Sequence, residues 1–215
     1  MAPRKPISHL VVEGKNDQHV IWALCAKHNI PETFSVEEPK DETGGVEALL
    51  DSISVRLKTP GMQILGFVID ADQDLQSRWQ AVSDRLRSSG YTNLPVVPDP
   101  KGTILDQEQM PRIGVWLMPD NQLPGMLEDF VKLLIPDNDL LLPKAEYMLA
   151  EIEREGLHRY TLVHHSKALI HTWLAWQEVP GLPMGLSITA QILLHNNPIA
   201  LNFVDWLNRL FQDQT

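Results

Sequence analysis

The fold is decided by two apolar stretches that each end in an acidic residue, SHLVVEG at 8–14 and ILGFVIDAD at 64–72. Short continuous apolar runs bounded by turn residues are typical of strands buried on both faces, as in a parallel sheet. A third run, IGVWLM at 113–118, leads to Pro119 and Asp120 in the same way. The three runs therefore predict neighbouring parallel strands.

Segments with helical spacing separate these strands, at 17–28, 46–57 and 75–88, the second of them opened by Thr43, Gly44 and Gly45. This alternation predicts an α/β fold in which a mostly parallel sheet is flanked by helices. Weaker strand signals lie at 33–36 and 96–97, the latter confined to a sheet edge by its neighbouring prolines.

The pattern changes after Gly125, where only helical segments follow, separated by Pro and Gly: 126–134, 140–156, 166–177, 186–195 and 199–211. No linker-like stretch precedes them. We therefore expect an α/β domain over residues 1–136 and a helical extension packed on it over residues 137–215.

The bulk composition limits the functional classes. The 215 residues are 43% apolar, which is enough for a proper core, and Cys25 is the single cysteine. No apolar leader or membrane-length run is present, so we expect a reducing cytoplasm and no membrane contact. A net charge of −10 is unlike the basic surface of a passive nucleic-acid binder, but it suits a protein that holds divalent cations.

Acidic side chains follow the predicted strands where each one ends. Glu13, Asp70 and Asp120 should converge at one edge of the sheet if the three strands are neighbours, with Asp72 close by. Such a group of carboxylates repels itself unless a cation is bound, and Mg²⁺ or Mn²⁺ prefers oxygen ligands. The sequence therefore predicts a metal site at this edge.

These residues carry a resemblance to a known family. The motifs VVEGKND at 11–17 and FVIDAD at 67–72 resemble the motif pair of Toprim domains, which occur in topoisomerases, bacterial primases and overcoming-lysogenisation-defect nucleases. The later segments GVWLMPDN at 114–121, GMLED at 125–129 and HTWLA at 171–175 are similar to small stand-alone proteins allied to that nuclease branch. The resemblance implies a Toprim, Rossmann-like core and a Mg²⁺-dependent enzyme that cleaves or transfers phosphodiester bonds of nucleic acid.

The resemblance also implies roles for individual residues. Glu13 would be a general acid or base, or a metal ligand, next to the substrate-contacting Gly14 and Lys15. Asp70, Asp72 and Asp74 would bind a first metal ion, and Glu128 and Asp129 would bind a second one. Lys167 would neutralise charge on the scissile phosphate.

The sequence departs from that nuclease branch because it contains no Gly-x-x-x-x-Gly-Lys-Ser/Thr segment of an ATPase. Any ATP-driven control would come from a separate protein partner. The composition also leaves room for a homo-oligomer.

Structural alternatives exist for most of these residues. Acids after a strand also cap the following helix, and this alone would explain Asp70 and Asp72, or Glu128 and Asp129. Lys15 and Asp17 fit a solvated turn and a helix cap equally well. Lys167 is equally typical of a lysine on the protein surface. Three histidines lack the spacing of a zinc site and are more typical of surface or hydrogen-bonded histidines: His164, His165 and His171.

Three functions from different classes stay open. The first is the Mg²⁺-dependent nuclease. The second is an Asp-x-Asp phosphatase or nucleotide-sugar transferase, which leaves the Glu13-Gly14 motif unexplained. The third is a non-catalytic or partner-activated Toprim subunit of a defence or repair complex.

Overall fold

The computed structural model describes residues 7–39 and 45–212, so Thr43 and Gly44 lie outside it. The described residues form five strands and eight helices. The strands are β1 (Ile7–Val11), β2 (Ser35–Glu37), β3 (Met62–Asp70), β4 (Thr103–Leu105) and β5 (Arg112–Met118). The helices are α1 (Lys15–Lys27), α2 (Gly45–Leu57), α3 (Leu75–Ser88), α4 (Leu127–Leu133), α5 (Leu142–Arg154), α6 (His165–Ala175), α7 (Met184–Thr189) and α8 (Pro198–Phe211), with a 3₁₀ turn at Leu162–His164.

The strands form one mostly parallel sheet in the order β2-β1-β3-β5-β4. β1 pairs with β2 and β3, and β3 pairs with β5, all in parallel, while β4 runs antiparallel at the edge beside β5. The predicted α/β fold is therefore confirmed. The edge strand suggested at Val96 and Val97 is wrong, because both side chains are exposed outside any strand and the edge is formed by β4 instead.

Helices cover both faces of the sheet. The alternating residues Leu65, Phe67 and Ile69 of β3 face α2 and α3 in one apolar layer. Ile64 and Val68 belong to the opposite layer, which contains α1 and the helices from α4 onward. Burial on both faces explains why β3 is a nearly continuous apolar run.

The helical segments after residue 136 share this second core layer with the sheet. Trp173 of α6 and Phe203 and Trp206 of α8 are completely or almost completely buried within it. α7 is shorter than its predicted segment and lies against α1, where a Cβ on Gly185 would come within 2.5 Å of the His19 carbonyl oxygen. No helix among the described residues is long and apolar enough to cross a membrane.

Two glycines let α8 lie directly on the sheet. Gly66 of β3 and Gly114 of β5 are opposite each other in register. A Cβ on Gly114 would lie 2.3 Å from Leu210 Cδ2, and one on Gly66 would lie 3.0 Å from the same atom. The paired glycines therefore form the floor on which the buried Leu210 side chain rests.

The glycine floor predicts a measurable coupling between the sheet and α8. Gly114→Ala should destabilise the protein by about 1–3 kcal/mol because the added methyl group collides with Leu210. Leu210→Ala alone should cost about 2–5 kcal/mol through the cavity it leaves. In the double variant the methyl group fills part of that cavity, so urea unfolding followed by tryptophan fluorescence should show a cost well below the sum. Additive costs would contradict the proposed contact.

Candidate metal centre

Glu13 and Asp70 meet at the same edge of the sheet. β1 and β3 are parallel neighbours with Val11 opposite Phe67, so the chain leaves both strands on the same side. The backbone N–H of Asp70 donates a hydrogen bond of 2.8 Å to Glu13 Oε1. The structure thus brings together the two residues that end these apolar runs.

The segment after β3 is held against the segment that precedes α4. The Asp72 N–H donates to the Gly125 carbonyl at 2.8 Å, and the Leu127 N–H donates to Asp70 Oδ1 at 2.9 Å. Asp72 has a φ of 55°, a left-handed conformation that aspartate tolerates better than most residues. These contacts place the first turn of α4 beside the end of β3.

Two buried acids join from the first turns of helices. Asp17 of α1 is 7% exposed and Glu128 of α4 is 4% exposed. The charges of Glu13 and Glu128 both act on Asp17, and Asp70 experiences the charges of Glu13, Asp17, Glu128 and Asp72. We refer to these five residues, Glu13, Asp17, Asp70, Asp72 and Glu128, as the acidic cluster.

Burial within the cluster disfavours the ionised carboxylates. It raises the pKa of Glu13 to about 7, against the effect of the Asp70 N–H and with a further increase from the charge of Asp72. Burial, followed by the charge of Glu13, likewise raises the pKa of Asp17 to about 7. The same two causes hold the pKa of Asp70 well above its usual range. The ionised cluster therefore opposes folding unless positive charge is nearby.

Two cationic side chains lie at the margin of the cluster. Arg78 of α3 forms an ion pair with Asp72. Lys167 Nζ lies 3.9 Å from Glu128 Oε1, and its side chain is 52% exposed. The charge of Arg78 also acts on Glu13, but neither Glu13 nor the buried Asp17 has an ion-pair partner among the described residues. The electrostatic field at the cluster therefore favours an additional cation.

The donor chemistry fits a hard divalent ion. One carboxylate oxygen accepts a hydrogen bond from a protein N–H group in each of Glu13, Asp70 and Asp72. The second carboxylate oxygen of each accepts no hydrogen bond from a described residue. In residues 7–39 and 45–212, no three His, Cys, Asp or Glu side chains are grouped as a ready-made ion site. Carboxylate oxygens and uncompensated negative charge are the two features of the cluster that suit Mg²⁺ or Mn²⁺.

The structure does not bring Asp74 and Asp129 into the cluster. Asp74 is exposed and caps α3, where it accepts hydrogen bonds from the Ser77 N–H at 3.0 Å and the Ser77 hydroxyl at 2.6 Å. Asp129 accepts from the Met126 N–H at 2.8 Å and the Ser166 hydroxyl at 2.6 Å. Both carboxylates therefore have two protein donors, and both stabilise the start of a helix.

Asp120 also has a local role instead of joining the other strand-end acids. Its Oδ1 accepts from the N–H groups of Gln122 and Leu123 at 3.0 and 2.8 Å, within the turn that follows β5. Gly14 precedes α1 in an extended conformation, and its backbone N–H acts to lower the pKa of the Asp17 carboxyl, against the larger effect of burial. Lys15 is exposed at the first residue of α1.

Sequence reasoning did not assign Asp17 and Arg78 to the site. Asp17 could have been found from its helical spacing, because it shares the buried face of α1 with Val20, Ile21 and Leu24. Arg78 has a weaker signal, since it flanks the buried face of an otherwise polar helix. Its pairing with Asp72 depends on the turn between β3 and α3, which the sequence pattern does not determine.

An open cleft of about 660 Å³ borders the cluster. Asp72 and Arg78 lie on the wall that faces the cluster, and Ser77 extends this wall along α3. Met126 and His164 line it from the segments before α4 and α6. The cleft therefore gives an external molecule access to the margin of the acidic cluster.

The raised pKa values predict how the metal-free protein responds to pH. The ordinary pKa values of Glu13 and Asp17 are 4.5 and 3.8, and both rise to about 7 on folding. The folded state holds these protons more tightly, so its stability falls as pH rises from about 4 to about 7. In EDTA, Asp17→Asn should raise the free energy of unfolding near neutral pH by about 1–3 kcal/mol, and this gain should disappear towards about pH 4.

The exposed residue Asp137 supplies the control for this measurement. Asp137→Asn should change the free energy of unfolding by less than about 0.5 kcal/mol at either pH. A gain from Asp17→Asn that is independent of pH would contradict the electrostatic origin of the effect.

Comparison with known proteins places the chain in a family. No curated protein and no solved structure matches the chain significantly. A family model described as "Protein of unknown function (DUF3226)" matches residues 7–212, which include every member of the acidic cluster. Because this match spans nearly the whole chain, the protein belongs to the DUF3226 family.

Proposed function

We propose that this protein is a Mg²⁺-dependent nuclease-like enzyme that cleaves or transfers phosphodiester bonds of nucleic acid at the acidic cluster. The observation that carries the proposal is the contact between Glu13 and Asp70 at the ends of adjacent parallel strands, with Asp72 close enough to act on both. The resemblance of these motifs to the Toprim pair supports the same assignment. Clustered carboxylates that hold divalent ions are a common solution for this chemistry.

Asp70 and Asp72 would hold the divalent ion through their carboxylate oxygens, with Mg²⁺ or Mn²⁺ as the expected metal. The bound ion would polarise a phosphoryl oxygen and lower the pKa of a coordinated water. Glu13 would act beside them as a third ligand or as the general acid or base. Glu128 and the neighbouring Asp17 are the carboxylates best situated for a second ion.

Lys167 is suited to contact the scissile phosphate. Its ammonium group lies near Glu128, and about half of its side chain is exposed to solvent. In the free protein the ammonium group would stay near the Glu128 carboxylate, and it would turn towards a phosphate when a substrate binds. It would then neutralise charge that develops on the phosphate during cleavage.

The cellular setting belongs to the same proposal. We expect a cytoplasmic enzyme, because the single cysteine gives no disulfide framework. Any ATP-driven control would have to come from a separate ATPase or other protein partner, because the sequence lacks the phosphate-binding motif of an ATPase. A homo-oligomer would be a second way to complete the active form.

The Asp-x-Asp-x-Asp segment supplies a matched test of the proposed centre. Asp70→Asn should lower Mg²⁺- or Mn²⁺-dependent cleavage at least about a hundredfold, because it removes a ligand charge from the cluster. Asp74→Asn should leave cleavage within about threefold, since asparagine also caps a helix. Both variants are assayed on supercoiled, linear and single-stranded DNA and on RNA, with metal binding followed by calorimetry.

The possible outcomes separate the competing functions. Equal cleavage by wild type and Asp70→Asn would exclude the acidic cluster as the catalytic centre. Metal binding without cleavage of any substrate would favour a partner-activated subunit. The absence of both metal binding and cleavage would favour a non-catalytic role.

A further inference from the structure

The cleft beside the acidic cluster has the size and lining of a binding site for a few nucleotides. Its volume is about 660 Å³, within the range of roughly 300–1,000 Å³ that is typical of small-molecule sites. The polar residues Asp72, Asp74, Ser77 and Arg78 line it at the start of α3. Val163 and the exposed His164 line it from the segment before α6. The lining therefore combines a cationic group that suits a phosphate with apolar and aromatic groups that suit a base.

Arg78 is the phosphate-binding candidate among these polar residues. Its side chain is 13% exposed and forms an ion pair with Asp72 through one of its two terminal nitrogens. A guanidinium has five N–H donors in a planar fork that matches phosphate oxygens. Arg78 therefore retains donor capacity next to the proposed metal ligand Asp72.

The rest of the surface offers little to a nucleic-acid duplex. Recognition of a duplex backbone needs an extended array of unpaired cations, whereas the chain carries a net charge of −10. Seven arginines of the described residues, the pairing of Arg78 included, already form ion pairs with carboxylates: Arg56, Arg78, Arg85, Arg87, Arg112, Arg154 and Arg209. These pairs reduce the positive charge that the described surface can offer to a duplex backbone.

Single strands need less positive surface because their unpaired bases contribute binding energy. Base stacking on aromatic or apolar side chains tolerates any sequence and supplements a few phosphate contacts. Met126, Val163 and the His164 ring provide such side chains in the same cleft as Arg78. A base splayed towards His164 would place its phosphate near Arg78 and the edge of the cluster.

We infer that this cleft binds single-stranded nucleic acid, with Arg78 on a backbone phosphate and His164 against a base. The inference rests on the proposed function, since it names the substrate class for the acidic cluster. Arg78 would exchange part of its contact with Asp72 for the substrate phosphate. Occupation of the cleft would then be coupled to the availability of Asp72.

Binding without cleavage tests this inference separately from the chemistry. The full chain carrying Asp70→Asn is titrated in EDTA with fluorescent DNA and RNA strands of about sixteen nucleotides, and with the matching duplexes, while anisotropy is recorded. Single strands should bind at least about tenfold more tightly than duplexes. Adding Arg78→Gln should weaken single-strand binding at least about tenfold and should reduce the slope of log K against log salt by about 0.7, the value expected for one phosphate contact.

Two further variants keep the result interpretable. Arg85→Gln, on the same helix but paired with Glu47 and Asp51, should leave both affinity and salt slope unchanged. His164→Ala changes an exposed side chain and should weaken single-strand binding about five- to tenfold. This variant preserves the test if Arg78→Gln fails to fold.

Equal or tighter duplex binding would overturn the inference, as would no binding or an unchanged salt slope in Arg78→Gln. If Arg78→Gln does not fold, unchanged binding by His164→Ala would also overturn it. None of these results depends on metal or cleavage. Failure of the proposed catalytic function would instead appear as equal cleavage by wild type and Asp70→Asn, which the separate nuclease assay reports.

Discussion

Several carboxylates lie close together at one edge of the parallel sheet, and the neighbouring strand ends, helix starts and Arg78 are arranged around them. Glu13 and Asp70 follow adjacent strands, and Asp17 and Glu128 are carried there by the helices that pack on one face. Backbone N–H groups and Arg78 compensate only part of this charge. Apolar residues at these positions would avoid this electrostatic cost, so the buried acids agree with the proposed role in holding a cation.

The free-energy cost of burying these carboxylates is offset by apolar packing elsewhere in the molecule. α8 lies directly over Gly66 and Gly114, and its Phe203, Trp206 and Leu210 side chains are fully buried. Close apolar packing of this kind contributes far more to stability than any one ion pair. The packing of the C-terminal helices on one face of the sheet therefore offsets the electrostatic repulsion within the acidic cluster at the sheet edge.

β1, β3 and β5 and the proximity of Glu13 to Asp70 could be predicted because they depend on one strong signal, apolar runs that end in acids. Asp17 was ambiguous, since the same residue type at a helix start also serves as a cap, and its burial depends on how α1 packs. Asp129 shows the reverse case: its neighbour Glu128 enters the cluster, whereas Asp129 caps α4. Adjacent helix residues point about 100° apart, so choosing between them requires the helix orientation. β4 was missed because Thr103–Leu105 is short and its pairing with β5 is non-local.

The acidic surface and a nucleic-acid substrate are compatible when recognition is local. Exposed charges separated by more than about 10 Å are largely screened at ordinary salt concentrations, so distant carboxylates weaken binding in the cleft less than the net charge suggests. Ion pairing with Arg78 would act at contact distance, where screening is weakest. Distant negative charge would still oppose a long duplex that lies across the surface, because many phosphates would then approach it. If the cleft binds nucleic acid as proposed, such a charge distribution would discriminate by the length and form of the nucleic acid without any contact to base edges.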